Sequence, residues 1–215
     1  LAALRASRVV VVSGETGCGK STQVPQYLLE EECRRERGGA CHVVVTQPRR
    51  IAAIALAERV ATERASKAGG VVGYAVRLES KASAETRLLY CTTGVLLSKL
   101  RDDPTLTSVS HVVVDEVHER DTQTDQLLLL LRELLPQRPD LKVLLMSATV
   151  QASLFSKYFD GCAILTSKGR TFPVEEHYLE HCLALVRARK GSHPGAALCS
   201  DVSSVRALLL GQTRH

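Results

Sequence analysis

Residues 9–24 read VVVVSGETGCGKSTQV, placing Gly14, Gly17 and Gly19 within six positions, between a run of four valines and a lysine. Glycine loses more conformational freedom on folding than any other residue, so such a cluster normally weakens structure. It is useful where a backbone turns in ways side chains forbid, or where a ligand approaches the backbone closely. The spacing from Gly14 to Gly19-Lys20-Ser21 fits G-x-x-x-x-G-K-[ST], a loop whose consecutive N–H groups wrap a polyphosphate. The helix that follows points its positive end at the same charge. In this pattern Lys20 reaches the β- and γ-phosphates and the Ser21 hydroxyl ligates magnesium. The flanks agree: Val9–Val12 is β-branched and continuous, as a strand buried on both faces should be. The helix expected over 21–35 holds good helix formers, with Pro25 in about its first turn, where proline is tolerated.

The chain has 215 residues, 45% of them hydrophobic, enough for one large α/β domain with a substantial core. Tryptophan is absent and aromatics make up 4%, so aliphatic side chains must build that core. No apolar run is long enough to span a membrane and the start lacks a secretory pattern. The seven cysteines (18, 33, 41, 91, 162, 182 and 199) contain no C-x-x-C pair, which reads as reduced thiols in an intracellular protein of cytoplasm or nucleus. His181, Cys182, His193 and Cys199 lack the paired spacing of a metal site. The only methionine is Met146, so Leu1 is read as the start of a fragment or of a trimmed chain.

A net charge of +5 invites a polyanionic partner, but four of the five charges come from residues 181–215, where five basic residues meet only Asp201. A nearly neutral body says little about nucleic acid. Local motifs must carry that argument.

Apolar runs at 9–12, 42–46, 88–91, 112–114, 143–146 and 163–165 alternate with helical patterns at 21–35, 50–65, 93–101, 122–135 and 151–159. That alternation predicts a parallel sheet covered on both faces, with Leu127–Leu131 in the core. The helix from 122 has a T-x-x-D start, Thr122 to Asp125. Ligands of such sheets gather at the carboxyl ends of strands, and there the sequence places SGETGCGKS, TQPRR, CTTG, DEVHER and SAT. After about residue 180 the alternation stops. The expected organisation is a domain over 1–180 and a tail or linker over 181–215, not packed as part of the α/β core and broken by the stretch GSHPG.

A phosphate loop needs an acidic element to complete hydrolysis, and HVVVDEVHER (111–120) supplies one. Asp115 would hold magnesium alongside Ser21, and Glu116 would orient and deprotonate the attacking water. Neighbouring acids on a strand end point to opposite sides, so two roles are expected.

GETGCGKST, TQPRRIAA, DEVH and SAT occur in that order, and together they resemble the first RecA-like lobe of a DEAH-box RNA helicase. VGYAVRLESK and VVDEVHERD are similar to the RNA helicase A group within it. The likeness covers roughly residues 5–180 and departs from the box name at Val117, where alanine is usual. It implies that Gly14, Glu15, Thr16, Gly17, Cys18, Gly19, Lys20, Ser21 and Thr22 bind ATP. Arg59 is implied to stack on the base without reading its edges. Asp115, Glu116, His118 and Lys20 would be the catalytic set, with Ser21, Asp115 and Glu116 on the Mg2+ side. Pro48, Arg49, Arg50, Arg77, Thr92, Thr93 and Gly94 would grip single-stranded RNA through phosphates and sugars. Ser147, Ala148 and Thr149 would couple nucleotide state to RNA. The second lobe of the family, with its arginine fingers, has no counterpart, for nothing like Q-x-x-G-R-x-G-R occurs before His215. The competing readings are another phosphate-loop enzyme, such as a transporter ATPase or a small-molecule kinase, and a fragment that binds nucleotide and RNA without turnover.

Overall fold

A computed structural model of the chain describes residues 2–15, 17–148, 151–167, 176–179 and 181. Two compact units divide it, residues 1–170 and 171–215. Of the second, the described part is a small ring cluster, with His181 edge-on to His177 and Tyr178. Apart from His181, the tail expected over 181–215 lies outside the described residues, as do Thr16 and Thr149.

The first unit is an eight-stranded sheet: β1 (Val9–Gly14), β2 (Val43–Gln47), β3 (Val72–Val76), β4 (Glu79–Lys81), β5 (Leu88–Thr92), β6 (His111–Val114), β7 (Lys142–Ser147) and β8 (Ala163–Ser167). Their order in space is β4-β3-β5-β2-β6-β7-β1-β8, and every pairing but β3–β4 is parallel. Helices α1 (Ala2–Ala6), α2 (Lys20–Arg34), α3 (Arg50–Glu63), α4 (Thr93–Asp102), α5 (Thr122–Leu134) and α6 (Ala152–Tyr158) cover it. The valine run explains itself. Val9 and Val11 enter a core beneath α4, α5 and α6, whereas Val10 and Val12 enter one beneath α1, α2 and α3. A strand between two cores has no polar face to alternate with. On α5, Leu127, Leu128 and Leu131 are buried and Leu129 stands half exposed, as helical periodicity demands.

The structure adds and corrects. The expected strands omit β3 and β4, whose hairpin at 72–81 supplies the antiparallel edge. The cap of α5 is Asp121, not Thr122: its carboxylate accepts from the Gln123 and Thr124 amides, and Asp125 instead pairs with Arg120 at 2.8 Å. Pro25 stands in the second turn of α2, not the first, because the helix starts at Lys20.

The loop into β6 is held by two side chains, Asp103, whose carboxylate accepts from the amides and hydroxyls of Thr105 and Thr107, and Arg138. Arg138, with a side chain only 14% exposed, donates Nη1 to the Thr105 and Leu106 carbonyls (2.6 and 2.7 Å) and Nη2 to the Val109 carbonyl (3.1 Å). Asp140 accepts from the other side of the same guanidinium. Leu106 is fully buried at φ 47°, a left-handed conformation unfavourable for leucine, so the loop depends on these bonds. Arg138→Ala removes the donor of the Thr105 and Val109 carbonyls, leaving the Leu106 carbonyl to the Val109 amide, and is expected to cost about 3 kcal/mol of stability. Arg138→Lys should recover less than half of that, since an ammonium cannot reproduce the fork. Chemical denaturation of both variants measures it, and a loss below about 1 kcal/mol for alanine would refute the clamp.

Candidate active site

The carboxyl ends of the strands lie in one row. From β1 the row passes through β7 and β6 to β2 and β5, so the chain segments arrive as SGETGCGKS, SAT, DEVHER, TQPRR and CTTG. The segments expected to meet nucleotide and those expected to meet RNA thus occupy opposite ends. SAT and DEVHER fall toward the nucleotide end, and DEVHER borders TQPRR.

Two glycines of the turn hold backbone conformations that suit glycine. Gly17 and Gly19 have φ of 81° and 87°, which side-chain-bearing residues rarely adopt, and Gly19 directly precedes α2. Lys20 does not extend into solvent. It is 8% exposed and folds over the turn, donating Nζ to the Gly14 carbonyl at 2.6 Å and the Glu15 carbonyl at 2.8 Å, with Cys18 Sγ at 3.6 Å. Thr22 Oγ1 donates to the Gly19 carbonyl. Glu15 itself is exposed.

Asp115 is 2% exposed and receives two donors, Gln47 Nε2 at 2.5 Å and the Glu116 amide at 2.9 Å, with the Ser21 hydroxyl near enough to favour its charge. Burial raises its pKa, while those hydrogen bonds and the nearby Lys20 oppose the rise. Glu116 follows at φ 53°. Its carboxyl is also raised above the usual range, first by burial and then by the Asp115 charge. Glu116 Oε2 lies 3.3 Å from His118 Nδ1, and the Ala148 amide donates to that same nitrogen at 3.2 Å. Ser147 is buried and its hydroxyl turns back to the Ala148 carbonyl.

A cleft of about 670 Å³ opens beside these groups, bounded by Gly17, Lys20, Ser21, Arg59, Glu63 and Glu116, among others. Arg59 is exposed, with its Nε 2.7 Å from Glu63 Oε1. Gln23 and Gln26 donate to the other oxygen of Glu63, and together with Arg59 they hold its pKa down.

The residues expected to grip RNA spread along the other end of the row. Arg49 reaches Glu119 at 3.2 Å and Arg50 reaches Glu79 at 3.5 Å, both exposed pairs. Pro48 is half-buried before them. Arg77 is exposed at the turn between β3 and β4. Thr92 ends β5 and precedes α4 without a side-chain cap bond, Thr93 is 2% exposed and Gly94 packs against Gln123. Arg77 therefore stands two strands away from the pair Arg49–Arg50.

Residues 1–155 match the DEAD/DEAH box helicase family. The chain belongs to that family. It is 57% identical to the DExH-box ATP-dependent RNA helicase DExH3 of Arabidopsis thaliana over 183 residues, covering 85% of this chain and 15% of that protein. It is 54% identical to the putative ATP-dependent RNA helicase DHX57 of Homo sapiens, covering 86% and 13%. It is 55% identical to the ATP-dependent RNA helicase DHX29 of Mus musculus, covering 82% and 13%. The chain thus spans about one seventh of the length of these relatives. Its α/β sheet is a RecA-like helicase lobe, and the alternatives of a transporter ATPase or small-molecule kinase fall. Among the described residues no helix is long and apolar enough to cross a membrane.

Two groups beside the candidate site escaped the motif reading. Gln47 sits inside the quoted TQPRR, yet nothing in its spacing shows that its amide faces Asp115. Glu63 is a helix carboxylate four residues from Arg59, a spacing that could have flagged the pair. Gln47→Leu keeps the volume near the buried carboxylate and removes its donor. The Asp115 pKa should rise further, since the lost hydrogen bond favours the charged form. Metal-dependent nucleotide binding should then weaken toward low pH over a range shifted upward from wild type. Overlapping pH profiles would show that the bond is inert.

Proposed function

We propose that the chain is the ATP-binding lobe of an RNA helicase, one that couples ATP hydrolysis to RNA unwinding or to remodelling of RNA–protein complexes inside the cell. The observation that carries this is the buried carboxylate of Asp115, which lies beside Ser21 of the glycine-rich helix and accepts from Gln47 on the strand that leads to Arg49. Nucleotide machinery and RNA-side machinery meet on one group.

The donors suit magnesium. Asp115 and Ser21 offer hard oxygen ligands, and among the described residues no cluster of three or more His, Cys, Asp or Glu competes for the ion. Mg2+ held by one carboxylate and one hydroxyl takes its remaining ligands from water and substrate phosphates. When bound, the ion supplies charge neutralisation at the phosphates. The chain's own groups do the rest. The amides of residues 17–22 and Lys20 receive the phosphates once Lys20 leaves the Gly14 and Glu15 carbonyls. Arg59 lies along the cleft as an exposed cation for the flat face of a base, which discriminates weakly among bases. Glu116, with its raised pKa, takes the proton of the attacking water. His118, between Glu116 and Ala148, lets the end of β7 sense that carboxylate. Arg49, Arg50, Arg77 and the turn Thr92–Gly94 contact RNA phosphates and sugars without reading sequence. The relatives' greater length implies further domains in the working enzyme. Charge from an arginine across the cleft accounts for factors of 10³–10⁵ in comparable enzymes, so the chain alone should turn over slowly.

Lys20→Ala is expected to weaken binding of an ATP analogue at least about 30-fold, the scale of two charge-assisted bonds. Because Lys20 also satisfies two carbonyls of the turn, a stability loss of about 1–2 kcal/mol should accompany it. Calorimetry and thermal melting read the two effects, and unchanged affinity would remove the nucleotide assignment.

Glu116→Gln should bind ATP analogue and RNA normally and slow single-turnover hydrolysis at least about 100-fold. In the parent enzyme, hydrolysis should rise with pH through the raised Glu116 pKa, since only the deprotonated form accepts a proton. A variant rate within about twofold of the parent would exclude the general-base role.

A further inference from the structure

Pro25 is the sixth residue of α2, and an α-helix needs a donor there. The N–H of residue 25 would bond the Ser21 carbonyl, but proline has none, and its ring also presses on that carbonyl. A buried carbonyl without a donor is costly. The missing donor comes from another strand. The Tyr90 hydroxyl, on β5, donates to the Ser21 carbonyl at 2.9 Å. Tyr90 is fully buried, and burial with the Asp115 charge raises its pKa, so the hydroxyl keeps its proton.

The position of the two ends gives this bond its significance. Ser21 stands beside Asp115 on the metal side. Tyr90 stands two residues before the turn Thr92–Gly94, which begins α4 at the RNA-side end of the row. Had residue 25 an N–H, the Ser21 carbonyl would bond within its own helix and α2 would be indifferent to β5. With proline there, the backbone of the metal-side serine is bonded across the core to the strand that carries the RNA turn.

We propose that Tyr90 is a positioning residue that links occupancy of the RNA-side turn to the setting of Ser21, and that Pro25 makes the link obligatory by removing the competing helical bond. This rests on the reading of the chain as a lobe that binds nucleotide and RNA. A merely structural Tyr90 would satisfy a carbonyl and do nothing else, and the two roles separate experimentally because Pro25→Ala restores a backbone donor to Ser21.

The test compares wild type, Tyr90→Phe, Pro25→Ala and the double variant at low salt. The readouts are thermal melting and the affinity for a non-hydrolysable ATP analogue with Mg2+, with and without saturating oligouridine. In wild type, RNA should tighten nucleotide binding at least about fivefold, the lower end of ordinary coupling between sites. Tyr90→Phe should melt lower and bring the RNA effect below about twofold. The double variant should recover wild-type melting and RNA-free affinity while its RNA effect stays below about twofold. Pro25→Ala alone returns the Ser21 carbonyl to its own helix and should weaken the RNA effect although the tyrosine is kept; an unchanged effect would overturn the role given to Pro25.

A double variant that regains the full RNA effect would show that Tyr90 only satisfies a carbonyl. Retained coupling in Tyr90→Phe, or a wild type that binds both ligands independently, would overturn the proposal equally. Should the double variant not recover wild-type melting, Tyr90→Phe decides alone: normal RNA-free affinity with lost coupling supports the link, and any other result overturns it. A wild type that binds no nucleotide would bring down the functional reading itself, and this inference with it.

Discussion

A single buried carboxylate organises the carboxyl edge of this sheet. Asp115 has lost nearly all contact with water, which disfavours its charge, and fixed donors together with the nearby Lys20 stabilise it there. Three places in the chain surround it: Gln47 at the end of β2 and the amide of Glu116, which donate to it, and Ser21 on the helix after β1, which lies beside it. Displacing any one leaves a buried charge under-solvated. The geometry of three segments is therefore tied to one electrostatic requirement, and the left-handed backbone of Glu116 is the strain accepted to meet it.

The rest of the unit makes that arrangement rigid. β6 is flanked by β2 and β7, and it is fed by a loop clamped through Arg138. Its valines divide between two cores. Little can move at the carboxyl end of such a strand without disturbing both faces of the sheet. Adaptability lies instead in exposed pairs such as Arg49–Glu119 and Arg50–Glu79, where salt and water screen the attraction and a competing phosphate can take the arginine.

Much of this was legible in the sequence, for identifiable reasons. The valine runs announce strands buried on two faces because no polar residue interrupts them, and the glycine spacing announces a turn that only glycine can make. The hairpin at 72–81 was missed as structure because three-residue β4, wholly exposed, has no apolar period to display. Asp121 was missed as a cap because Thr122 and Asp125 offered an equally good pattern one residue later. The bonds of Gln47 to Asp115 and of Tyr90 to Ser21 join residues 68 and 69 positions apart, and spacing along the chain holds no trace of such partners. Pro25 was the one local sign, a residue whose placement demands that a donor come from elsewhere.

His118 presents one nitrogen to two neighbours that ask opposite things of it. To accept the Ala148 amide, Nδ1 must offer its lone pair, and that lone pair then faces the carboxylate of Glu116 across 3.3 Å. To bond Glu116 it must carry a proton, and the Ala148 amide then loses its acceptor. The imidazole cannot serve both at once. A ring so placed behaves as a logical exclusion, and whether the end of β7 or the acid that follows β6 holds the histidine is decided by the whereabouts of a single proton.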